Sequence, residues 1–390
     1  MLGMGNMRQW LMNISLVGGW FPAAAFAVIA VLSVTLLVSA AVSKRDGRIL
    51  ATVLPIGVAA VSGMVGYVVA WLLSDVFVVF GVGLGSRVMS WVAAGFAIAG
   101  FAIVHIVLSR GMMRVAAAIL TVFAILAAAI GIDQSYGEYA TIGSLFGEDS
   151  YSQADLTGLA KRKDLITVAQ CRKQAANGTI RNIPANGTVN KIDIPATKSQ
   201  FEARKALVYL PPAALADSKR KPALPVVLML SGQPGSPGRV FQAGGIQTMM
   251  DGYAKTHDGL APIVIAADQL GADSHNTLCV DSKVYGNALT YLTQDVVDWV
   301  KTNLPAAQDA KDWAIAGFSQ GATCSLQIGV NHPDLFGTMI PTDSEIKPTN
   351  GSRQEMIDRF FDGDTTAYEN QVPVNAIRNH APTQDRKSVV

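Results

Sequence analysis

Four long apolar runs in the first third of the chain restrict its fold more than any other feature. They cover residues 21–42, 49–73, 88–109 and 115–132 and contain no Asp, Glu, Lys or Arg. A helix of about 20 apolar residues crosses a bilayer, and a helix satisfies its own backbone hydrogen bonds in lipid. The sequence therefore predicts four transmembrane helices. A cleaved signal peptide would explain only the first run, which is long and is followed by three more.

The basic residues between these runs predict the orientation of the helices. Two short loops carry most of them: Lys44, Arg45 and Arg48 between the first and second runs, and Arg110 and Arg114 between the third and fourth. The loop between the second and third runs has only Asp75 and Arg87. Lysine and arginine are retained on the cytoplasmic side of a membrane. Both chain termini are therefore expected outside the cytoplasm, with the protein in the cell membrane.

The chain after Asp133 has the charge density of a soluble domain, although charged residues make up only 15% of the whole. We predict three segments: a transmembrane region at 1–132, an extracytoplasmic connector at 133–180 and an α/β domain at 181–390. One amphipathic helix is expected over 154–173 of the connector. The net charge of +2 and the lack of a basic cluster beside aromatic residues argue against nucleic-acid binding.

Strand and helix patterns alternate along the third segment. An antiparallel pair of edge strands is expected at 188–194 and 206–210, and buried strands at 225–230, 262–267, 313–317 and 337–341. Helices are expected at 246–255, 289–300, 321–330, 353–361 and 368–379. This alternation predicts a mostly parallel sheet covered by helices on both faces.

The segment from Gly317 to Gly321 has the pattern G-x-S-x-G and lies between a predicted strand and a predicted helix. That position is typical of a nucleophile elbow, in which a sharp turn exposes a serine hydroxyl at the edge of the sheet. Ser319 is the candidate nucleophile, and it needs a base to take its proton. The alternative is a glycine-rich turn in some other α/β fold.

The loop from Ser231 to Gly238 is rich in glycine and proline and directly follows a predicted strand. A serine hydrolase takes one oxyanion donor from such a loop and a second from the residue after its nucleophile. We therefore predict the N–H groups of Gln233 and Gln320 as the two donors. An ordinary turn is the alternative for the loop.

Several segments resemble the esterase D group of α/β-hydrolases, which includes the antigen 85 mycolyltransferases of actinobacteria. They are RKALVYLPP at 204–212, SGQPG at 231–235, YLTQDVVDWV at 291–300, GFSQG at 317–321 and HPDLF at 332–336. The resemblance covers about 187–390, and four membrane spans ahead of such a domain resemble actinobacterial membrane-anchored esterases. It implies an extracytoplasmic serine esterase or acyltransferase with Ser319 as nucleophile and Gln320 as oxyanion donor. The resemblance also implies an ester or lipid substrate of the cell envelope and the lipid bilayer as a partner. It implies no cofactor.

The chain departs from this family at its C-terminal end. An acid and then a histidine should follow the nucleophile, and in the family the acid follows one strand beyond Asp343. Residues 387–390 begin an apolar run at which the sequence stops, so the domain is predicted to be C-terminally incomplete. His332, His380 and Asp343 are in-chain alternatives. The rival hypothesis is a catalytically incomplete hydrolase-fold domain with a binding or envelope-structural role.

The chain has three cysteines, and none has metal-ligand spacing. A disulfide is possible if the domain lies outside the cytoplasm. We expect Cys171 to pair with Cys279 and Cys324 to pack beneath the elbow.

Overall fold

A computed structural model describes residues 7–8, 10–42, 48–77, 79, 83–137, 139–146, 151–177, 182–218, 220–242 and 244–379. The chain divides into two compact units, Met1–Ser150 and Tyr151–Val390. The division lies within the segment that the sequence predicts as a connector.

Four long helices make up most of the described part of the first unit. They are α1 (Trp20–Ala41), α2 (Arg48–Trp71), α3 (Gly85–Leu108) and α4 (Met112–Tyr136). A π-helical turn, Leu72–Val76, extends α2. All four are long and apolar enough to cross a membrane, which confirms the four predicted apolar helices.

Glycines allow these helices to approach one another closely. A Cβ added to Gly100 would lie 2.4 Å from the Ser62 hydroxyl, and one added to Gly131 would lie 2.1 Å from the Trp91 ring. Small residues at such contacts are typical of membrane helices. The outward side chains are apolar as well, since Met64 and Val107 are 71% and 69% exposed. Helices that are apolar all round do not fit an aqueous surface.

A sheet with the strand order β1-β3-β4-β7-β6-β10-β11 forms the centre of the second unit. Its strands are β1 (Ser152–Gln153), β3 (Thr188–Ile192), β4 (Ala206–Leu210), β6 (Val226–Leu230), β7 (Ile263–Ala266), β10 (Trp313–Phe318) and β11 (Thr338–Thr342). Two small sheets pair β2 (Leu165–Ile166) with β5 (Lys221–Pro222), and β8 (Asp281–Ser282) with β9 (Gly286–Asn287). Strands β7, β6, β10 and β11 are mutually parallel, whereas β4 is antiparallel to both neighbours. The predicted mostly parallel sheet and the antiparallel pairing of β3 with β4 are confirmed. Their predicted place at the sheet edge is wrong, because β1 pairs with the outer side of β3 and β4 lies between β3 and β7.

Helices and loops cover both faces of this sheet. The helices are α5 (Val168–Ala176), α6 (Pro212–Leu215), α7 (Pro237–Gln242), α8 (Ile246–Lys255), α9 (Ala288–Thr290), α10 (Val296–Asn303), α11 (Gln320–Asn331), α12 (Arg353–Phe360), α13 (Thr365–Gln371) and α14 (Pro373–Asn379). Ile263 and Ile265 of β7 pack into one apolar core, and Val264 and Ala266 pack into another. The strand is therefore buried on both faces, as its continuous apolar sequence indicates.

Two predicted helices are wrong in part. Residues 154–173 do not form one helix, because Leu156, Ile166 and Cys171 pack into the core of the sheet. The range holds a 3-10 turn at Arg162–Asp164 and the start of the α-helix Val168–Ala176. The helix expected at 368–379 is broken before Pro373, since the residue before a proline avoids helical geometry. The apolar run at 387–390 lies outside the described residues.

Candidate active site

Ser319 occupies a sharp turn between strand β10 and helix α11. Its backbone angles are φ 53° and ψ −118°, a strained combination for a residue with a side chain. The Ser319 N–H donates to the Thr342 carbonyl at 3.0 Å, and its carbonyl accepts from the N–H groups of Ala322 and Thr323 at 3.0 and 3.1 Å. The sheet on one side and the helix on the other thus fix the turn. The predicted strand–turn–helix context of the serine is present.

The two glycines of the motif are required by close backbone contacts. A Cβ on Gly317 would lie 2.2 Å from the Gly321 carbonyl oxygen. A Cβ on Gly321 would lie 2.4 Å from the carbonyl oxygens of both Leu230 and Ser231. These neighbours are backbone atoms and cannot rotate away. The first turn of α11 therefore packs directly on the end of β6.

The Ser319 side chain is half-buried and faces the loop that follows β6. A Cβ on Gly232 would lie 3.4 Å from Ser319 Cβ, so loop and elbow are in contact. Phe318, the residue before the serine, is 55% exposed. Among the described residues, no side chain or backbone group hydrogen-bonds the Ser319 hydroxyl.

The structure brings the loop of Gln233 and the elbow of Gln320 together, as the sequence predicts. Gln320 is the first residue of α11, where helical N–H groups have no intrahelical acceptor. Within the described part of the chain, neither the Gln320 N–H nor the Gln233 N–H has an acceptor. The Gln233 side chain donates to the Ser274 carbonyl at 3.0 Å, which ties its loop to the segment after β7. The role of the two N–H groups as oxyanion donors stays a prediction.

Gln269 lies directly after β7 and touches both of these elements. Its amide nitrogen donates to the Ser231 carbonyl at 2.6 Å and to Gln320 Oε1 at 3.2 Å. Sequence analysis missed this residue. Its position at the carboxyl end of a parallel strand, where open α/β sheets bind ligands, is the signal that could have indicated it.

Arg204 holds the loop of Gln233 from the other side. Its guanidinium makes two bonds to the buried Asp268 carboxylate, at 2.9 and 2.8 Å, and a third to the Gly235 carbonyl at 2.9 Å. It also pairs with Asp273, whose carbonyl accepts from the Gly235 N–H at 3.2 Å. Burial lowers the pKa of the Arg204 guanidinium, but the bonds and charges of Asp268 and Asp273 outweigh burial and raise it. Arg204 therefore stays charged and fixes the loop.

Of the in-chain alternatives for acid and base, His332 and Asp343 make no hydrogen bond to the serine hydroxyl. His332 follows the last residue of α11, about 20 Å along the helix from Ser319 at ~1.5 Å per residue. Asp343 follows β11 with a φ of 59° and an exposed side chain. His380 lies outside the described residues.

The expected pairing of Cys171 with Cys279 is wrong, because Cys279 is bonded to Cys324 with an S–S distance of 2.06 Å. Leu278 and Cys279 both have positive φ, 53° and 51°, and this turn carries Cys279 to the buried face of α11. Cys171 is a buried free thiol. In the ranges that the structure describes, no group of three or more His, Cys, Asp or Glu residues could hold a metal ion.

The sheet, the covering helices and the elbow define the second unit as an α/β-hydrolase domain. Residues 198–390 match the model of the family described as "Putative esterase". This match supports the resemblance to the esterase D and antigen 85 group, and the second unit has the α/β-hydrolase fold that the resemblance implies.

Three known proteins are similar to the chain. An uncharacterised protein of Corynebacterium glutamicum is 34% identical over 282 residues, which is 72% of this chain and 62% of that protein. The chain therefore spans less than two thirds of this relative. The S-formylglutathione hydrolase of Agrobacterium tumefaciens is 17% identical with a TM-score of 0.42, over 52% of this chain and 74% of that one. A ferulic acid esterase is 17% identical with a TM-score of 0.41, over 53% and 75%.

Proposed function

We propose that the chain is a membrane-anchored serine esterase or acyltransferase that forms an acyl-enzyme on Ser319 outside the cytoplasm. The observation that carries the proposal is the half-buried Ser319 hydroxyl on a strained elbow, beside two N–H groups without acceptors. The match to an esterase family supports an ester as substrate.

In this mechanism Ser319 Oγ attacks the carbonyl carbon of the ester, and the carbonyl electron pair moves onto its oxygen. That oxygen lies between the N–H groups of Gln233 and Gln320, which stabilise its negative charge more in the transition state than in the ground state. Collapse of the intermediate expels the alcohol and leaves the acyl group on Ser319. Water, or a sugar or lipid alcohol, then attacks the acyl-enzyme and restores the serine.

The proton of Ser319 passes to a histidine in this proposal. None of the described histidines bonds the hydroxyl, and His380, which lies outside the described residues, is the remaining in-chain candidate for the base. A carboxylate that orients this base is expected in the same part of the chain.

The anchoring and the location are argued from the first unit and from the disulfide. We assign membrane anchoring to residues 1–132, a connector to 133–180 and catalysis to 181–390. Four apolar helices with basic loops at Lys44–Arg48 and at Arg110–Arg114 favour both termini outside. The Cys279–Cys324 disulfide agrees with an oxidising compartment. An active site beside a bilayer suits lipid or envelope esters, and the exposed Phe318 ring offers apolar surface to an acyl group.

The test is covalent labelling with a fluorophosphonate, together with hydrolysis of a p-nitrophenyl ester. We expect the wild-type chain to be labelled and Ser319→Ala to lose labelling and at least about 1,000-fold in kcat. Ser325→Ala is the matched control, because Ser325 lies on the same helix and bonds only its own helix at Ala322. Equal labelling of wild type and Ser319→Ala would refute the proposal.

A second candidate is a hydrolase-fold domain that binds a ligand or organises the envelope without catalysis. The observation that favours it is the Ser319 hydroxyl without a bonded base in the described residues. A folded wild-type chain that neither reacts with the fluorophosphonate nor hydrolyses the ester would support this candidate.

A further inference from the structure

We propose that Gln269 is a positioning residue that sets the distance between the two oxyanion N–H groups. This inference rests on the proposed function, because it concerns the same site. It adds a residue that neither touches the substrate nor belongs to the G-x-S-x-G motif.

The argument starts from the order of three neighbouring strands. Strands β7, β6 and β10 lie side by side and run in parallel, so their carboxyl ends meet at one edge of the sheet. Gln269 follows β7, Ser231 follows β6 and Gln320 follows β10 and the elbow serine. The two proposed donors thus follow the ends of β6 and β10, and Gln269 follows the end of β7.

A single amide group of Gln269 bonds both donor-carrying segments. Its Nε2 donates to the Ser231 carbonyl at 2.6 Å, two residues before Gln233, and to the Gln320 side-chain oxygen at 3.2 Å. Gln269 has no solvent exposure, and Ser231 and Gln320 are 4% and 7% exposed. Such burial shields these bonds from bulk solvent, and the low local dielectric strengthens them.

The far side of the Gln320 amide is held as well. Its Nε2 lies 3.2 Å from Cys324 Sγ and 3.4 Å from Asn276 Oδ1. The Gln320 side chain therefore lies between Gln269 on one side and the Cys279–Cys324 disulfide on the other. Movement of Gln269 would release one of these two restraints on the residue that carries the second oxyanion N–H.

Gln269 is an unfavourable residue for stability alone. Its Oε1 is buried and has no hydrogen-bond partner in the described residues, and such an oxygen keeps the cost of its lost hydration. Local costs of this kind are expected where function requires a residue. We infer that the functional gain is the pair of bonds from Gln269 Nε2 to the two donor segments, which offsets the cost of the unpartnered Oε1.

A change in donor spacing acts on the transition state. Oxyanion donors must lie about 2.7–3.1 Å from the position of the charged oxygen, and loss of one donor lowers kcat by ~100- to 1,000-fold. A displaced donor should cost less than a lost one. Ground-state binding of the ester depends little on these bonds, so the effect should fall on kcat rather than on KM.

The experiment compares Gln269→Leu with wild type in the full chain, with p-nitrophenyl butyrate as the probe. We expect kcat to fall about 10- to 100-fold with KM within about twofold, and fluorophosphonate labelling of Ser319 to slow by the same factor. Gln269→Met, which has the same length and no donor, is a second variant and should show the same loss.

Gln327→Leu is the matched control. Gln327 is also fully buried, lies on α11, donates to the Leu278 carbonyl at 2.9 Å and has an unpartnered Oε1. Its replacement should change Tm by about as much as Gln269→Leu does and leave kcat unchanged. A folded Gln269→Leu or Gln269→Met with wild-type kcat, or an equal kcat loss in Gln327→Leu, would overturn the inference. Wild type that does not react at Ser319 would instead contradict the proposed function.

Discussion

The backbone at Ser319 has a conformation that its neighbours must permit. Strand β10 ends at Phe318 and α11 begins at Gln320, so a single residue makes the whole turn. This is possible because neither flanking glycine has a Cβ. A Cβ on Gly317 would clash with the Gly321 backbone, and a Cβ on Gly321 would clash with the end of β6. The strain at Ser319 is thus maintained by two glycines that perform no chemistry themselves.

Gly321→Ala tests this dependence. The new Cβ would lie 2.4 Å from two backbone oxygens, so we expect a loss of about 1–3 kcal/mol in the free energy of unfolding and loss of fluorophosphonate labelling. Gly252→Ala is the control, because Gly252 lies in helix α8 with no atom within 4 Å of the added Cβ. That change should stabilise the protein by about 0.5–1 kcal/mol. Thermal unfolding measures both, and a Gly321→Ala protein as stable and as reactive as wild type would contradict the argument.

Among the secondary-structure elements, helix α11 is fixed by contacts with two parts of the fold. Its first turn packs on β6, and Gln327 donates to the Leu278 carbonyl. The Cys279–Cys324 bond joins it to the segment between β7 and α9 across 45 residues of sequence. This bond keeps the segment that carries Asn276 beside the elbow.

Replacing both Cys279 and Cys324 by alanine should therefore weaken the domain. Closing a loop of 45 residues is worth about 4 kcal/mol in the chain-entropy treatment, so we expect a clear fall in Tm and a lower kcat. Cys171→Ala is the control, because burial raises the pKa of the Cys171 thiol and keeps it unreactive.

Mass spectrometry of the unfolded wild-type protein provides the direct assignment. Alkylation without reductant should modify one cysteine, Cys171, and alkylation after reduction should modify all three. An unreduced protein alkylated at Cys279 or Cys324 would show that the pairing is different.

For the whole molecule, the decisive question is on which side of the membrane each loop lies. The sequence predicts that the loop before α3 lies outside and that the loop between α3 and α4, with its Arg110 and Arg114, lies inside. An even number of spans puts both termini on one side of the membrane. The proposed catalysis on envelope esters requires that side to be the outside.

Labelling of introduced cysteines in intact cells tests the orientation. We expect a membrane-impermeant maleimide to modify Ser86→Cys, which lies at the start of α3, and not Ser109→Cys, which follows its end. The parent chain is the control, since Cys171 is buried and the other two cysteines are bonded to each other. The reverse labelling pattern would place the hydrolase domain in the cytoplasm.

The four apolar helices, the parallel strands and the elbow with Ser319 could all be predicted from the amino-acid sequence. These features follow from local patterns, because apolar length, strand periodicity and the need for glycine beside a tight turn are properties of short segments. The same local approach failed at residues 154–173, where burial of Leu156 and Ile166 against the sheet outweighed helical periodicity.

The Cys279–Cys324 pairing and the place of Gln269 between Ser231 and Gln320 depend on the folded arrangement of distant segments and could not be predicted. These contacts join segments 45, 38 and 51 residues apart, and nothing in the segments themselves specifies their partners. The order β7-β6-β10 brings them together, and that order is set by how the whole sheet buries both of its faces.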